Sequence, residues 1–170
     1  MSEMDPSLME AASALRRLEA GERLFLWGFR TMAQHYKFGR PTIPELRQVY
    51  WHFGVDDAVA SLDALVGAFA RAAHAPVEVH SPGCPCVSPS ERCLLRAAAA
   101  AQSGALAIAR RELERWLPDL AADWATEPLR GLGQLFQAAG LNLPLREREL
   151  ATAPETMATR TWPVASPTLH

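Results

Sequence analysis

Ser88-Pro-Ser-Glu91 opens an alanine-rich stretch that passes through Ala97–Ala101 and reaches Gly104. The four residues have the pattern of a capping box, in which the Ser88 side chain accepts a hydrogen bond from the backbone N–H three residues on. The Glu91 side chain reaches back to the N–H of Ser88, and the proline between them suits a first helical turn. The stretch therefore predicts a helix that begins directly after Ser88 and ends near Gly104.

Apolar residues recur at helical spacing on both sides of this segment. Val77 to His80 alternates like a strand, but four residues without a partner strand make an extended connector rather than a sheet. No other stretch has the period-2 pattern of a sheet, so the sequence predicts an all-α fold: a compact bundle of six to seven helices with an extended, cysteine-containing connector. The predicted helices cover residues 5–19, 22–37, 44–53, 57–73, 88–104, 105–117 and 126–140.

The chain length predicts one domain rather than two, because 170 residues match the usual domain size. Hydrophobic residues make up 49% of the chain, enough for a core without disulfides or metals as staples. Residues 151–170 are rich in threonine, alanine and proline and have no periodicity. We therefore expect a single helical domain over residues 1–150, followed by a flexible C-terminal tail over residues 151–170.

Charge and apolar patterning exclude several classes of protein. A net charge of −2 argues against a sequence-independent nucleic-acid binder, which needs a surplus of lysine and arginine. The longest apolar runs are too short to span a bilayer, and the acidic start Met1–Asp5 differs from a signal peptide. Three cysteines within ten residues are typical of a reducing compartment rather than of a disulfide framework. These observations predict a cytoplasmic protein with no membrane partner.

The spacing His80-x3-Cys84-x-Cys86-x6-Cys93 brings together four residues of the types that hold zinc or an iron centre. Cys86 precedes the predicted N-cap by two residues, and Cys93 lies on the second turn of the same helix. The sequence therefore predicts a candidate metal site formed by these four residues. The alternative is a structural turn whose thiols are incidental, since a small buried thiol beside leucines is ordinary in a core.

Thiol chemistry is a second interpretation of the same turn. A thiol near a helix N-terminus feels the positive end of the helix dipole, which predicts a lowered pKa for Cys86. Cys84 would then act as a resolving thiol and His80 as a base. Nothing else in the sequence completes a nucleophilic constellation, so we expect a protein without enzymatic activity.

Five tryptophans are an unusual number for a chain of this length. Trp27, Trp116 and Trp124 lie on or near helical stripes and are predicted to enter the core. Trp51 is expected to line a pocket or a partner surface, and Trp162 in the tail has the character of a docking residue. We therefore expect another protein as the partner, and the sequence is also compatible with a homo-oligomer.

Three stretches resemble an uncharacterised family of small alphaproteobacterial proteins, a domain of unknown function. They are Arg23–His35, Val77–Glu91 and Leu135–Leu141, and the likeness extends over about residues 22 to 145. Pro85 departs from the family pattern because it separates two cysteines that are more often adjacent there. The resemblance implies a helical fold with a cysteine turn and carries no activity, cofactor or partner.

Taken together, these features lead to three functional hypotheses. The first is a small regulatory or adaptor protein without enzymatic activity, with a zinc or iron centre at the His80–Cys93 turn. The second is a thiol-dependent redox protein that uses Cys86 and Cys84. The third is a pure protein-interaction module that uses Trp51 or the tail around Trp162.

Overall fold

The computed structural model describes residues 14–146, and every regular element in that range is helical. The predicted all-α fold is therefore confirmed. The predicted tail over residues 151–170 and most of the predicted first helix lie outside the described residues. Residues 14–146 also include no helix with the length and apolar character that a bilayer crossing requires. A 3-10 helix (Leu15–Arg17) precedes six α-helices: α1 (Ala20–Phe38), α2 (Ile43–His52), α3 (Ala58–Ala72), α4 (Pro89–Gln102), α5 (Leu106–Leu113) and α6 (Asp119–Ala138).

Helix α4 begins as its capping box predicts. Ser88 Oγ accepts a hydrogen bond from the backbone N–H of Glu91 at 3.1 Å, and Glu91 Oε2 accepts one from the N–H of Ser88 at 2.8 Å. The five alanines of Ala97–Ala101 are all buried. Because their side chains are small, α4 can pack closely against both α5 and α6.

The core is formed around α3, which packs against α6 on one side and against α1 on another, with α2 beside α1 and α3. Phe29 on α1 meets Phe69 on α3 edge-on at 5.8 Å between ring centroids. Tyr50 on α2 packs against Phe136 on α6, and its hydroxyl donates to the Leu24 carbonyl at 3.3 Å. Aromatic side chains from four helices therefore meet in one hydrophobic core.

Helix α6 begins earlier than the sequence predicts. We expected a turn around Trp124 and a helix from Thr126, but α6 starts at Asp119 and continues through Pro128. A proline inside a helix removes one backbone hydrogen bond and costs about 3 kcal/mol. Ala122 and Ala125 before Pro128 and Leu129, Leu132 and Phe136 after it are all buried, and burial on both sides of the proline offsets that cost.

The start of α1 also differs from the prediction. The first helix was expected to reach Glu19, yet the 3-10 helix ends at Arg17 and Leu18 is extended. Glu19 is instead the N-cap of α1, where its backbone N–H donates to Glu22 Oε2 at 2.7 Å. A second capping box, formed by two glutamates, thus fixes where α1 begins.

Residues 141–146 cross the first turn of α1. The Gln102 side-chain amide holds this segment with two hydrogen bonds. Its Nε2 donates to the Leu141 carbonyl at 2.9 Å, and its Oε1 accepts from the Leu143 N–H at 2.7 Å. Gly21 makes room for the segment, because a Cβ atom there would lie 2.5 Å from the Asn142 carbonyl oxygen. Arg146 then pairs with Glu22 at 2.8 Å, so the described chain ends against the start of α1.

Candidate functional site

We name residues 80–86, which include Cys84 and Cys86, the cysteine turn. A buried ion pair lies beneath it. Arg30 on α1 donates from Nε to Glu91 Oε1 at 2.7 Å and from Nη2 to Glu91 Oε2 at 2.8 Å. Arg30 is 1% exposed and Glu91 is fully buried. Two parallel hydrogen bonds between a guanidinium and a carboxylate are a strong and directional arrangement. The pair therefore fixes the start of α4 against α1.

Glu91 also holds the segment that leads into the turn. Its Oε1 accepts from the His80 backbone N–H at 2.9 Å, and its Oε2 lies 3.0 Å from His80 Nδ1. Burial alone would raise the pKa of the Glu91 carboxyl, but its hydrogen bonds with Arg30, the Ser88 N–H and His80 outweigh burial and lower that pKa. Glu91 is therefore a carboxylate at neutral pH. Through its contacts with the backbone and side chain of His80, it fixes the extended connector against the start of α4.

The rest of the Arg30 guanidinium shapes the turn itself. Nη1 donates to the carbonyl oxygen of Cys84 at 2.7 Å, and Nη2 donates to that of Cys86. The backbone N–H of Leu15 reaches the Pro85 carbonyl at 3.3 Å from the outer side. Three successive carbonyl groups thus have partners, so the conformation of the turn is set by contacts from distant parts of the chain.

The structure brings only part of the predicted four-residue metal site together. Cys84 and Cys86 lie in one turn and their thiols influence each other electrostatically, whereas His80 Nδ1 is engaged with Glu91. The electrostatic neighbours of Cys93 are charged groups on α4 and at the α5 end, led by Arg115. Within residues 14–146, no group of three or more histidine, cysteine, aspartate or glutamate side chains is arranged to hold a metal ion. The zinc or iron centre therefore stays a prediction.

The expected lowering of the Cys86 pKa is wrong. Burial raises the pKa of the Cys86 thiol, contact with Cys84 raises it further, and the charge of Arg30 only partly offsets both effects. The ionised Glu91 carboxylate also contributes, because it adds a negative charge at the helix terminus whose dipole was expected to favour thiolate. Burial raises the pKa of Cys93 as well. The neutral thiols are therefore favoured at physiological pH.

A second site lies between α1 and α2, where the two helices leave an open groove of about 440 Å³. On α1 the lining residues follow the spacing of one helix face, and on α2 they are separated by one turn. Trp27 is half-buried, and Phe53 is 45% exposed. We name this surface the α1/α2 groove; its lining residues are Ala20, Arg23, Leu24, Trp27, Val49 and Phe53.

The sequence pointed to this surface only indirectly. Trp51 was expected to line a pocket or a partner surface; it is 66% exposed and does not line the groove, whereas Val49 and Phe53, two positions away on either side, do. Trp27, expected in the core, is half-buried: it packs against the core and also lines the groove. In the sequence, the i, i+4 spacing of Val49 and Phe53 indicates an apolar face. Which tryptophan lies beside that face depends on how α1 and α2 pack, and the packing places Trp27 there.

The other tryptophans divide between core and surface. Trp116 is buried, as predicted, whereas Trp124 is 70% exposed and its predicted core position is wrong. Because α6 already begins at Asp119, Ala122 and Ala125 face the core. Trp124 and Leu120, one turn apart, lie on the exposed side of that helix.

The cysteine turn and the α1/α2 groove are thus the two candidate sites within residues 14–146. The cysteine turn is polar and is held by hydrogen bonds from Arg30. The groove is largely apolar and open to solvent. Trp162, the remaining predicted docking residue, lies outside the described residues. No protein-family model, no curated protein and no solved structure matches this chain. The resemblance to an alphaproteobacterial family therefore stays a prediction, and a functional proposal has to be argued from the two sites.

Proposed function

We propose that this protein is an adaptor or regulatory protein without enzymatic activity, which binds an apolar segment of another polypeptide in the α1/α2 groove. The observation that carries the proposal is the open, largely apolar surface between Trp27 and Phe53. Its volume of about 440 Å³ falls within the range of roughly 300–1,000 Å³ found for ligand pockets. Grooves between two helices commonly receive the apolar face of a third, amphipathic helix.

The polar groups of the groove favour a polypeptide over a small polar ligand. Small-molecule sites usually add several converging polar groups to an apolar wall. Here the lining contains one charged side chain, Arg23, which donates from Nη1 to the Leu18 carbonyl at 2.8 Å. The proposed partner segment therefore contributes apolar side chains, together with an acidic residue placed beside the exposed Arg23 guanidinium.

Peptide display on the immobilised full-length chain tests this proposal. We expect selection of peptides that combine aromatic or aliphatic anchors with an acidic residue. Fluorescence anisotropy with one selected peptide then compares two variants of exposed aromatic residues, Phe53→Ala in the groove and Trp51→Ala outside it. Loss of an anchor contact worth about 1.4 kcal/mol weakens binding about tenfold. We therefore expect the Kd for the peptide to rise about tenfold in Phe53→Ala and to stay unchanged in Trp51→Ala.

The proposal fails if selection yields no peptide that binds the full-length chain. It also fails if Phe53→Ala and Trp51→Ala bind a selected peptide equally well. Circular dichroism of both variants, measured at the temperature of the binding experiment, separates a lost contact from a lost fold.

We also propose metal binding at the cysteine turn as a second function, favoured by the fact that Arg30 holds the carbonyl groups of Cys84 and Cys86 and so keeps both cysteines in one turn. Soft thiolate ligands select zinc, copper(I) or iron–sulfur centres. Protein purified without a histidine tag or chelator is expected to carry about one equivalent of metal per chain. Double replacement of Cys84 and Cys86 by serine should remove it, and Cys93→Ser tests whether the third cysteine is a ligand. A content below about a tenth of an equivalent would refute metal binding.

A further inference from the structure

The described chain ends against the first turn of α1, the helix that forms one wall of the α1/α2 groove. Leu141 and Leu143 are buried, and Gly21 allows residues 141–143 to lie directly on the first turn of α1. Arg146 then pairs with Glu22 at 2.8 Å. Glu22 directly precedes Arg23, which lines the groove. Because successive helical residues point in different directions, the segment that follows Arg146 starts at the turn of α1 that carries Ala20 and Arg23 and has to pass round that helix to reach the groove.

The following segment is long enough to reach any part of the groove. Sixteen residue steps separate Arg146 from Trp162, which corresponds to about 53–58 Å of fully extended chain. From Glu22 to Trp27 the distance along the α1 axis is about 8 Å. Because a short tether gives its end an effective concentration on the order of millimolar, even a weak contact between tail and groove is populated.

The chemistry of the segment matches that of the surface. Trp162-Pro163-Val164 is an apolar triplet in a stretch otherwise rich in threonine and alanine. A tryptophan contributes a large apolar area with few rotatable bonds. Glu155 lies seven positions before it and supplies the acidic group that suits the Arg23 guanidinium.

We infer that residues 147–170 occupy the α1/α2 groove of their own chain, with Trp162 as the anchor, and that a partner has to displace them. The inference rests on the proposed function of the groove. Occupation of the groove by the tail lowers the apparent affinity for any other segment, because only the fraction of molecules with a free groove can bind. Residues 147–170 are thus an intramolecular competitor, and the strength of their contact with the groove determines how tightly a partner has to bind to displace them.

Fluorine NMR of the full-length chain labelled with 5-fluorotryptophan tests the inference. Trp162→Ala removes the proposed anchor, and Trp124→Ala is the matched control because Trp124 is exposed on α6, outside the groove. We expect the Trp27 resonance to shift in Trp162→Ala and to stay in place in Trp124→Ala. An unchanged Trp27 resonance in Trp162→Ala would overturn the inference. So would a shift that disappears on dilution of the wild-type protein, since that would mean docking between two copies.

Affinity for a displayed peptide gives the second readout. Removal of the competitor should tighten peptide binding by about threefold or more, whereas Trp162→Phe, which keeps an aromatic anchor, should remain close to the wild type. Equal affinity of Trp162→Ala and wild type, together with loss of binding in Phe53→Ala, would refute the inference and leave the function of the groove standing. Absence of any bound peptide would refute the proposed function, and the Trp27 resonance would still decide whether the tail docks.

Discussion

Glu91 is a buried residue on which several polar contacts converge. It pairs with Arg30 and also accepts hydrogen bonds from His80 and Ser88. Replacement by glutamine leaves the Arg30 guanidinium buried without its counter-charge, a change that typically costs about 3–5 kcal/mol. We expect Glu91→Gln to lower the free energy of unfolding by that amount at neutral pH, measured by urea denaturation.

The same variant has a defined pH dependence. The pKa of Glu91 is lower in the folded chain than its ordinary value of 4.5. Its contribution to stability is therefore complete above the unfolded-state pKa and is lost as the pH falls through the lower, folded-state value. The difference between wild type and Glu91→Gln should accordingly narrow on acidification below about pH 4.5.

An exposed ion pair supplies the control for this prediction. Glu127, 65% exposed, pairs with Arg130 at 2.7 Å on the surface of α6. Surface pairs contribute about 0–1 kcal/mol, so Glu127→Gln should leave stability nearly unchanged. A Glu91→Gln variant as stable as Glu127→Gln would contradict the role assigned to the buried pair.

Gly21 allows the first turn of helix α1 to lie directly against residues 141–146. A Cβ atom at Gly21 would meet the backbone of Asn142 at 2.5 Å, and a backbone oxygen cannot rotate aside as a flexible side chain can. Alanine improves helix propensity by about 1 kcal/mol over glycine, yet we expect Gly21→Ala to be destabilised by about 1–3 kcal/mol, because overpacking displaces residues 141–146.

Gly131 in α6 provides the comparison. A Cβ atom there would lie 3.4 Å from the Ser61 hydroxyl oxygen, an ordinary contact. Gly131→Ala should therefore be neutral or stabilised by up to about 1 kcal/mol. Thermal unfolding of both variants tests this prediction, and we expect a lower melting temperature for Gly21→Ala than for Gly131→Ala. Equal melting temperatures would show that residues 141–146 adapt to the added methyl group.

The helices differ in how well the sequence predicts where they begin. The start of α4 is predictable because Ser88 and Glu91 cap the helix through contacts three residues apart. The start of α6 is not, because Pro128 resembles a first-turn proline in the sequence. Whether the chain is helical before Pro128 depends on burial of Ala122 and Ala125 against other helices, and local sequence does not encode that burial.

At the scale of the whole molecule, both candidate sites depend on pairs of residues that are distant in sequence. The cysteine turn could be recognised from its own residues, but its conformation is set by Arg30, which lies 61 positions before Glu91. That pairing also explains why the four predicted ligands do not converge: Glu91 engages His80, and α4 carries Cys93 toward charged residues near the end of α5. Residue spacing alone could not reveal either contact.

Helix α1 connects the two sites. Arg30 on α1 braces the cysteine turn, while Trp27, one turn earlier on the same helix, lines the groove. The first turn of α1 also holds the end of the described chain through Gly21 and Glu22. Because α1 packs against α2, α3 and α4, it is a rigid support rather than a hinge. In the proposal made above, residues 147–170 and a partner would therefore compete for one fixed surface, and that competition requires no rearrangement of the helices.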